Sequence, residues 1–180
     1  MKKLWLVAMT GAAIFVAAAA PARAAELKVG DAAPDFTLQA SDGKTYKLAD
    51  FKGKQAIVLA WFPAAFTKIC TIECKSLAEN GHLIKKYDAT YFMASVDPLE
   101  KNTEFAAAQK ADFPLLSDPD KKVAEAYGVL NARGVSNRWT FYIDKNGRIS
   151  FIDKDVNAHA ERSAEVMAAK LGDLGVPARN

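Results

Sequence analysis

The run Ala56-Ile57-Val58-Leu59-Ala60-Trp61-Phe62 is apolar at every position and is closed by Pro63. A half-exposed strand alternates apolar and polar residues, whereas a strand without alternation must be covered on both faces, as in a partly parallel sheet. Pro63 has no N–H to give to a ladder, so the strand ends there and the chain leaves the sheet. This one segment points to a layered α/β domain and away from an all-helical bundle or a one-sided sheet.

The flanking pattern fills in that domain. Phe36 to Gln39, the turn Ser41-Asp42-Gly43 and Tyr46 to Leu48 read as a short hairpin. From Thr67 to about Lys86, the positions Cys70, Cys74, Leu77, Gly81 and Ile84 recur at helical spacing on one stripe. A strand over Thr90 to Val96, a helix over Leu99 to Lys110 and an extended Phe113 to Leu116 follow, and Asp118-Pro119 reads as a helix start. Trp139 to Asp144 and Arg148 to Asp153 form a second hairpin about Lys145-Asn146-Gly147, and a last helix over His159 to Leu171 is stopped by Gly172. The order is that of a thioredoxin-like α/β fold with an added N-terminal β-hairpin and a middle insertion.

The N-terminus has its own character. Lys2 and Lys3 precede an apolar run from Leu4 to Ala20, and Pro21-Ala22-Arg23-Ala24 places small residues three and one before a break. That is the pattern of a secretory signal over residues 1–24, cleaved after Ala24; an uncleaved anchor is the competing reading. The expectation is a periplasmic protein in which residues 25–180 form a single domain. Removing Lys2, Lys3 and Arg23 takes the 24 basic residues to 21, level with the 21 acidic ones. A balanced chain offers no basic patch for nucleic acid and no attraction to an anionic membrane after cleavage.

An exported protein with two cysteines invites a structural disulfide. Here the pair is Cys70 and Cys74, with Thr71, Ile72 and Glu73 between them. So short a loop stabilises by about 2 kcal/mol in the chain-entropy picture, against about 4.7 for a loop of about 100 residues, so a redox or metal pair is the better reading. With Thr67 as the N-cap, Cys70 is the third helical residue, where the side chain of a capping box reaches back to the cap. A thiolate there accepts hydrogen bonds from Thr67 and meets the positive end of the helix. Ionisation alone gives little. Lowering a thiol pKa from about 8.5 to about 6 raises the thiolate fraction roughly 30-fold at neutral pH and lowers nucleophilicity roughly 13-fold. Most of any rate advantage must come from donors aimed at the oxygens of the bond being broken. Arg138, immediately before the buried strand that opens at Trp139, is the cation best placed to join Thr67 in that task.

These residues resemble the peroxiredoxins, closest to the bacterioferritin-comigratory or Q type. Pro63, Thr67 and Cys70 match the Pro-x-x-x-Thr-x-x-Cys pattern, Phe62, Thr71 and Glu73 extend it, and Arg138 falls where that family has its active-site arginine. The resemblance runs from about Val29 to Leu171 and implies a thiol peroxidase acting on hydrogen peroxide and organic hydroperoxides, with no cofactor and no metal. It implies that Cys70 is oxidised to a sulfenic acid, that Pro63 shields it, and that Thr67 and Arg138 activate thiolate and peroxide. A thiol reductant completes the cycle, a periplasmic thioredoxin-like protein or a small thiol. Two departures stand out: Lys68-Ile69 replaces the usual Pro-Gly, and Cys74 lies four residues after Cys70 where a resolving cysteine in this helix lies five after. Cys74 is therefore either the resolving cysteine or a buried core residue.

The rival reading from another class is an exported copper-binding assembly protein of the Sco type, using the Cys-x-x-x-Cys pair with His159 as a third soft ligand. It leaves Pro63, Thr67 and Arg138 without a role. Glu73 is expected simply as an acid suited to a helix N-terminus, and Trp61 and Trp139 as core or pocket wall.

Overall fold

The structure is a computed structural model that describes residues 26–179. The export signal read over residues 1–24 lies outside the described residues. The strands are β1 (Thr37–Ala40), β2 (Thr45–Lys47), β3 (Ala56–Trp61), β4 (Ala89–Ser95), β5 (Leu115–Ser117), β6 (Thr140–Ile143) and β7 (Ile149–Asp153). The helices are α1 (Lys68–Asn80), α2 (Leu99–Gln109), α3 (Lys122–Ala126) and α4 (Ser163–Asp173), with 3-10 turns over Leu48–Asp50, Gly81–Lys86 and Val156–Arg162.

One seven-stranded sheet runs in the order β2-β1-β5-β4-β3-β6-β7. The apolar strand β3 lies inside it, parallel to β4 and antiparallel to β6. Its residues divide between two core layers as a strand's period of two demands. Val58 and Ala60 face Cys70, Cys74, Leu77 and Met167, while Ile57, Leu59 and Trp61 face Phe92, Tyr127 and Phe141. All six residues of β3 are buried. The thioredoxin-like arrangement expected from the sequence is the one observed, and the additions have a structural logic. β5, in the middle insertion, pairs with β4 on one side and with the N-terminal hairpin on the other, so that hairpin extends the main sheet.

Several boundaries differ from the sequence reading: the last helix opens at Ser163 and not at His159, which lies in the 3-10 turn before it, and three others have a clear local cause. α1 ends at Asn80 and the chain tightens into a 3-10 turn at Gly81, where a Cβ would stand 2.1 Å from the Tyr91 hydroxyl. Asp118-Pro119 does not open a helix. The Lys121 N–H donates to the Asp118 carbonyl at 2.9 Å, closing a turn, and α3 begins only at Lys122. Asp118 still serves that helix from a distance, because its carboxylate accepts the Ala124 N–H at 2.7 Å. Gly172 lies inside α4 against the Tyr87 hydroxyl; the helix stops at Gly175, whose φ of +69° is open to glycine at little cost. There the Val176 N–H reaches the Leu171 carbonyl and the Gly175 N–H the Gly172 carbonyl, the paired bonds of a Schellman ending.

The buried Asp118 carboxylate does for α3 what an N-cap side chain does for a helix. Asp118→Ala should therefore cost about 1–2 kcal/mol of stability, seen as a lower urea midpoint at unchanged slope.

Candidate active site

The site is built where β3 gives out. The Phe62 N–H still reaches the Ala94 carbonyl at 2.9 Å, after which Pro63, half-buried, ends the pairing. The following loop is anchored on its far side by Asp97, whose carboxylate accepts the buried Ala65 N–H at 2.8 Å and pairs with Lys101 at 2.6 Å. Phe66 takes a left-handed φ of 66°, an uncommon conformation for a residue with a Cβ, and lays its exposed ring edge-on against Phe105. That turn brings the chain to Thr67, extended at φ −81° and ψ 153°, the N-cap of α1.

The Thr67 hydroxyl makes no bond to the helix backbone. It lies 2.8 Å from Cys70 Sγ and 2.9 Å from the Ala64 carbonyl oxygen. One hydroxyl proton serves only one of these acceptors at a time. With Cys70 protonated, the thiol can donate to Thr67 Oγ1 while the hydroxyl donates to Ala64; with Cys70 ionised, the hydroxyl can turn to the sulfur.

Arg138 arrives from the other side of β3. The antiparallel register pairs Ala60 with Thr140, so the residues just before β6 stand beside the point where β3 enters its loop. From there Arg138 Nη2 donates to Cys70 Sγ at 2.9 Å, Nη1 to Glu73 Oε2, and Nε to Asn157 Oδ1 at 2.9 Å. The side chain is only 5% exposed. Burial works against its charge, and Glu73 and Cys70 more than offset that, holding the guanidinium above its ordinary range.

Glu73 is the residue whose importance the sequence reading missed. It is the sixth residue of α1, fully buried, and its carboxylate is the ionic partner of Arg138. The signal was available: residues three apart share a helix face, so Glu73 had to lie on the same side as Cys70. Burial pushes its carboxyl up to about 7, with Arg138 pulling it back. Asn157, from the turn after β7, carried no such signal in the sequence. Of the expected site residues, Thr67, Cys70 and Arg138 are brought together, and Pro63 stands at the turn leading into them. Cys74 lies one turn further into α1, in the core, and both cysteines are free thiols. Burial pushes the Cys74 thiol up to about 12, helped by the charges of Glu73 and Cys70.

His159 does not complete a metal site with the cysteines. Its Nε2 pairs with Asp153 Oδ2 at 2.9 Å, and among the described residues no group of three or more His, Cys, Asp or Glu side chains is placed to hold a metal ion. Trp61 is core, packed on Tyr127, while Trp139 is partly exposed beneath the Lys154 ammonium.

Known proteins are similar to this chain in sequence and in fold. A profile of the AhpC/TSA family matches residues 29–152. Alkyl hydroperoxide reductase E of Mycobacterium tuberculosis is 37% identical over 130 residues, 71% of this chain and 85% of that protein. Peroxiredoxin Bcp of Escherichia coli is 35% identical over 136 residues, 72% and 86% of the two chains. The chain belongs to the AhpC/TSA family of peroxiredoxins. The crystal structure of peroxidoxin BcpB from Mycobacterium tuberculosis superposes with a TM-score of 0.66 at 28% identity, over 79% of this chain and 99% of the other. As a peroxiredoxin the protein is a thiol-dependent peroxidase, an oxidoreductase, and the copper-assembly reading has no support. Against the family pattern, Lys68 and Ile69 stand exposed at the opening of α1.

The burial of the Glu73 carboxyl beside Arg138 should show as a pH signature in stability. Its folded value of about 7 lies above the ordinary 4.5, so the stability it contributes is fully present below about 4.5 and is lost as the pH rises through about 7. Glu73→Gln cannot titrate there. Urea unfolding at several pH values should show wild-type stability falling relative to that variant between about pH 5 and pH 8. A difference constant with pH would mean that Glu73 stays ionised throughout.

Proposed function

We propose that Cys70 is the attacking atom of a peroxidase that reduces hydrogen peroxide and organic hydroperoxides. The observation that carries this reading is the convergence of two donors from separate elements, Thr67 Oγ1 and Arg138 Nη2, within 2.8 and 2.9 Å of one sulfur. The thiolate attacks one peroxide oxygen, the S–O bond forms as the O–O bond breaks, and the departing alkoxide or hydroxide takes up a proton. Cysteine sulfur is thereby oxidised to a sulfenic acid and the peroxide reduced to an alcohol or water. With one bond made by each terminal nitrogen, Arg138 keeps a second N–H on each for the peroxide oxygens. Those donors act most strongly as charge develops on the leaving oxygen. Pro63, rigid and half-buried where β3 gives way to the loop, is the residue to which we give the role of shielding the sulfur. The exposed rims of Phe66 and Ile69 suit an organic hydroperoxide, in keeping with the alkyl hydroperoxide reductase among its relatives.

Cys70→Ser should abolish peroxide reduction and leave unfolding unchanged within about 1 kcal/mol, because serine offers no comparable nucleophile at neutral pH. Stopped-flow peroxide consumption beside urea unfolding measures both, and turnover in the variant would refute the assignment.

Cys74 is the resolving residue in the reading we favour. In an intact helix, Cβ atoms four residues apart lie about 5–6 Å from each other, and a disulfide needs about 3.5–4.5 Å. The first turns of α1 must therefore loosen. Loosening also frees Cys74 from the burial that holds it as an unreactive thiol near 12. A few helix-end hydrogen bonds worth about 1 kcal/mol each are at stake, which puts the opening within reach of turnover. Intact-mass analysis after one equivalent of peroxide should show loss of two hydrogens and no free thiol, with Cys74→Ser instead accumulating one added oxygen. Wild-type protein that accumulates the same oxygen adduct would make Cys74 a core residue.

The signal-like residues 1–24 support residence in the periplasm. The reductant there is a thioredoxin-like protein of that compartment or a small thiol, since cytosolic thiols cannot reach it directly.

A further inference from the structure

Arg138 has three partners, and two of them, Cys70 and Glu73, sit on α1. Among the described residues the third, Asn157, is its one partner outside that helix. Arginine has donors only, so the side of the Asn157 amide that meets Nε is necessarily its carbonyl oxygen. Asn157 itself is exposed and sits in the 3-10 turn Val156–Arg162, and its place is not left to a flexible loop. Val156 and Ala160 on either side are buried in the core. Asp153, the last residue of β7, holds the chain on both sides of Asn157: Oδ1 accepts the Asp155 N–H at 2.9 Å and Oδ2 pairs with His159 Nε2 at 2.9 Å. At His159 the backbone breaks from helical geometry, with φ −139° and ψ 23°.

We infer that Asn157, clamped by the Asp153–His159 pair, is a positioning residue that holds the Arg138 guanidinium plane in the orientation aimed at Cys70 and its peroxide. The inference rests on Cys70 being the attacking sulfur. Cys70 and Glu73 engage only the two terminal nitrogens, one edge of the fork, and a planar group held along one edge can still tilt about it. A contact at Nε, from a different element, removes that freedom. Asn157 is not part of the helix that loosens, so its bond to Nε need not break for Cys70 to leave Arg138. Misalignment of a donor by about 1 Å can cost about a hundredfold in rate, whereas a side chain that merely covered the surface would leave the peroxide step unchanged.

The test compares two reactions of the same sulfur in the intact protein. The rate of Cys70 oxidation by hydrogen peroxide is read by stopped-flow tryptophan fluorescence, and the rate of Cys70 alkylation by iodoacetamide by mass. Alkylation needs a thiolate and no aligned donor for a departing oxygen. Asn157→Ala should slow the peroxide reaction by about tenfold to a hundredfold and change alkylation by no more than about twofold. Asn157→Asp, which keeps an acceptor oxygen in the same place, should recover most of the peroxide rate. Equal loss in both reactions would make Asn157 a structural residue or one that acts on thiol ionisation. No loss in either, or an Asp variant as slow as the Ala variant, would overturn the inference equally. Wild-type protein whose Cys70 is alkylated but not oxidised would instead overturn the assignment of Cys70.

Discussion

Arg138 is a full positive charge with 5% of its side chain exposed, and removing such a charge from water costs several kcal/mol unless an opposite charge and hydrogen bonds answer it. The site is organised around answering it. The sulfur of Cys70, the carboxylate of Glu73 and the amide of Asn157 each take one guanidinium nitrogen, and they come from two elements that have no contact in sequence with Arg138. The arrangement spends folding energy on holding donors in a fixed direction. In a peroxidase that is useful, because preorganised donors do not have to be gathered when the O–O bond breaks.

The sheet makes this possible by bringing chain ends together. β3 delivers the loop and the N-terminus of α1 at one point, and the antiparallel pairing of β6 with β3 delivers Arg138 to the same point. The return of β7 into the turn Val156–Arg162 then supplies Asn157 from a third direction. The opposing demands fall on α1. Its first turns must be ordered to hold Cys70 against Arg138 and must loosen for Cys70 to meet Cys74. A helix N-terminus, with few backbone hydrogen bonds of its own, is where both are possible.

Much of this was readable from residue order. The apolar run of β3, the helical stripe through Cys70 and Cys74 and the two hairpins all depend on periodicity and turn chemistry within short windows, and each was placed to within a few residues. Asp118-Pro119 misled because its caps and turn residues fit two local structures, and the packing of Ala124 and Tyr127 decided for a later helix start. Gly172 misled for a similar reason. It is small because Tyr87 crosses close to it, while the conformational duty of a helix stop falls to Gly175.

At the site, local sequence determined that Cys70 would stand in the first turn of a helix behind Thr67, since capping and helical spacing act over three or four residues. It also placed a cationic residue at the head of a buried strand. The burial of Glu73, its pairing with Arg138 and the reach of Asn157 to Nε were decided only by tertiary structure. These contacts join residues 65 and 19 positions apart. Helical spacing puts Glu73 on the side of Cys70, but neither it nor Asn157 carries in its neighbours any mark of the charge it will meet. Whether a polar side chain is solvated or committed depends on what the sheet brings against it, and that is settled by packing across elements and not by the order of residues within one.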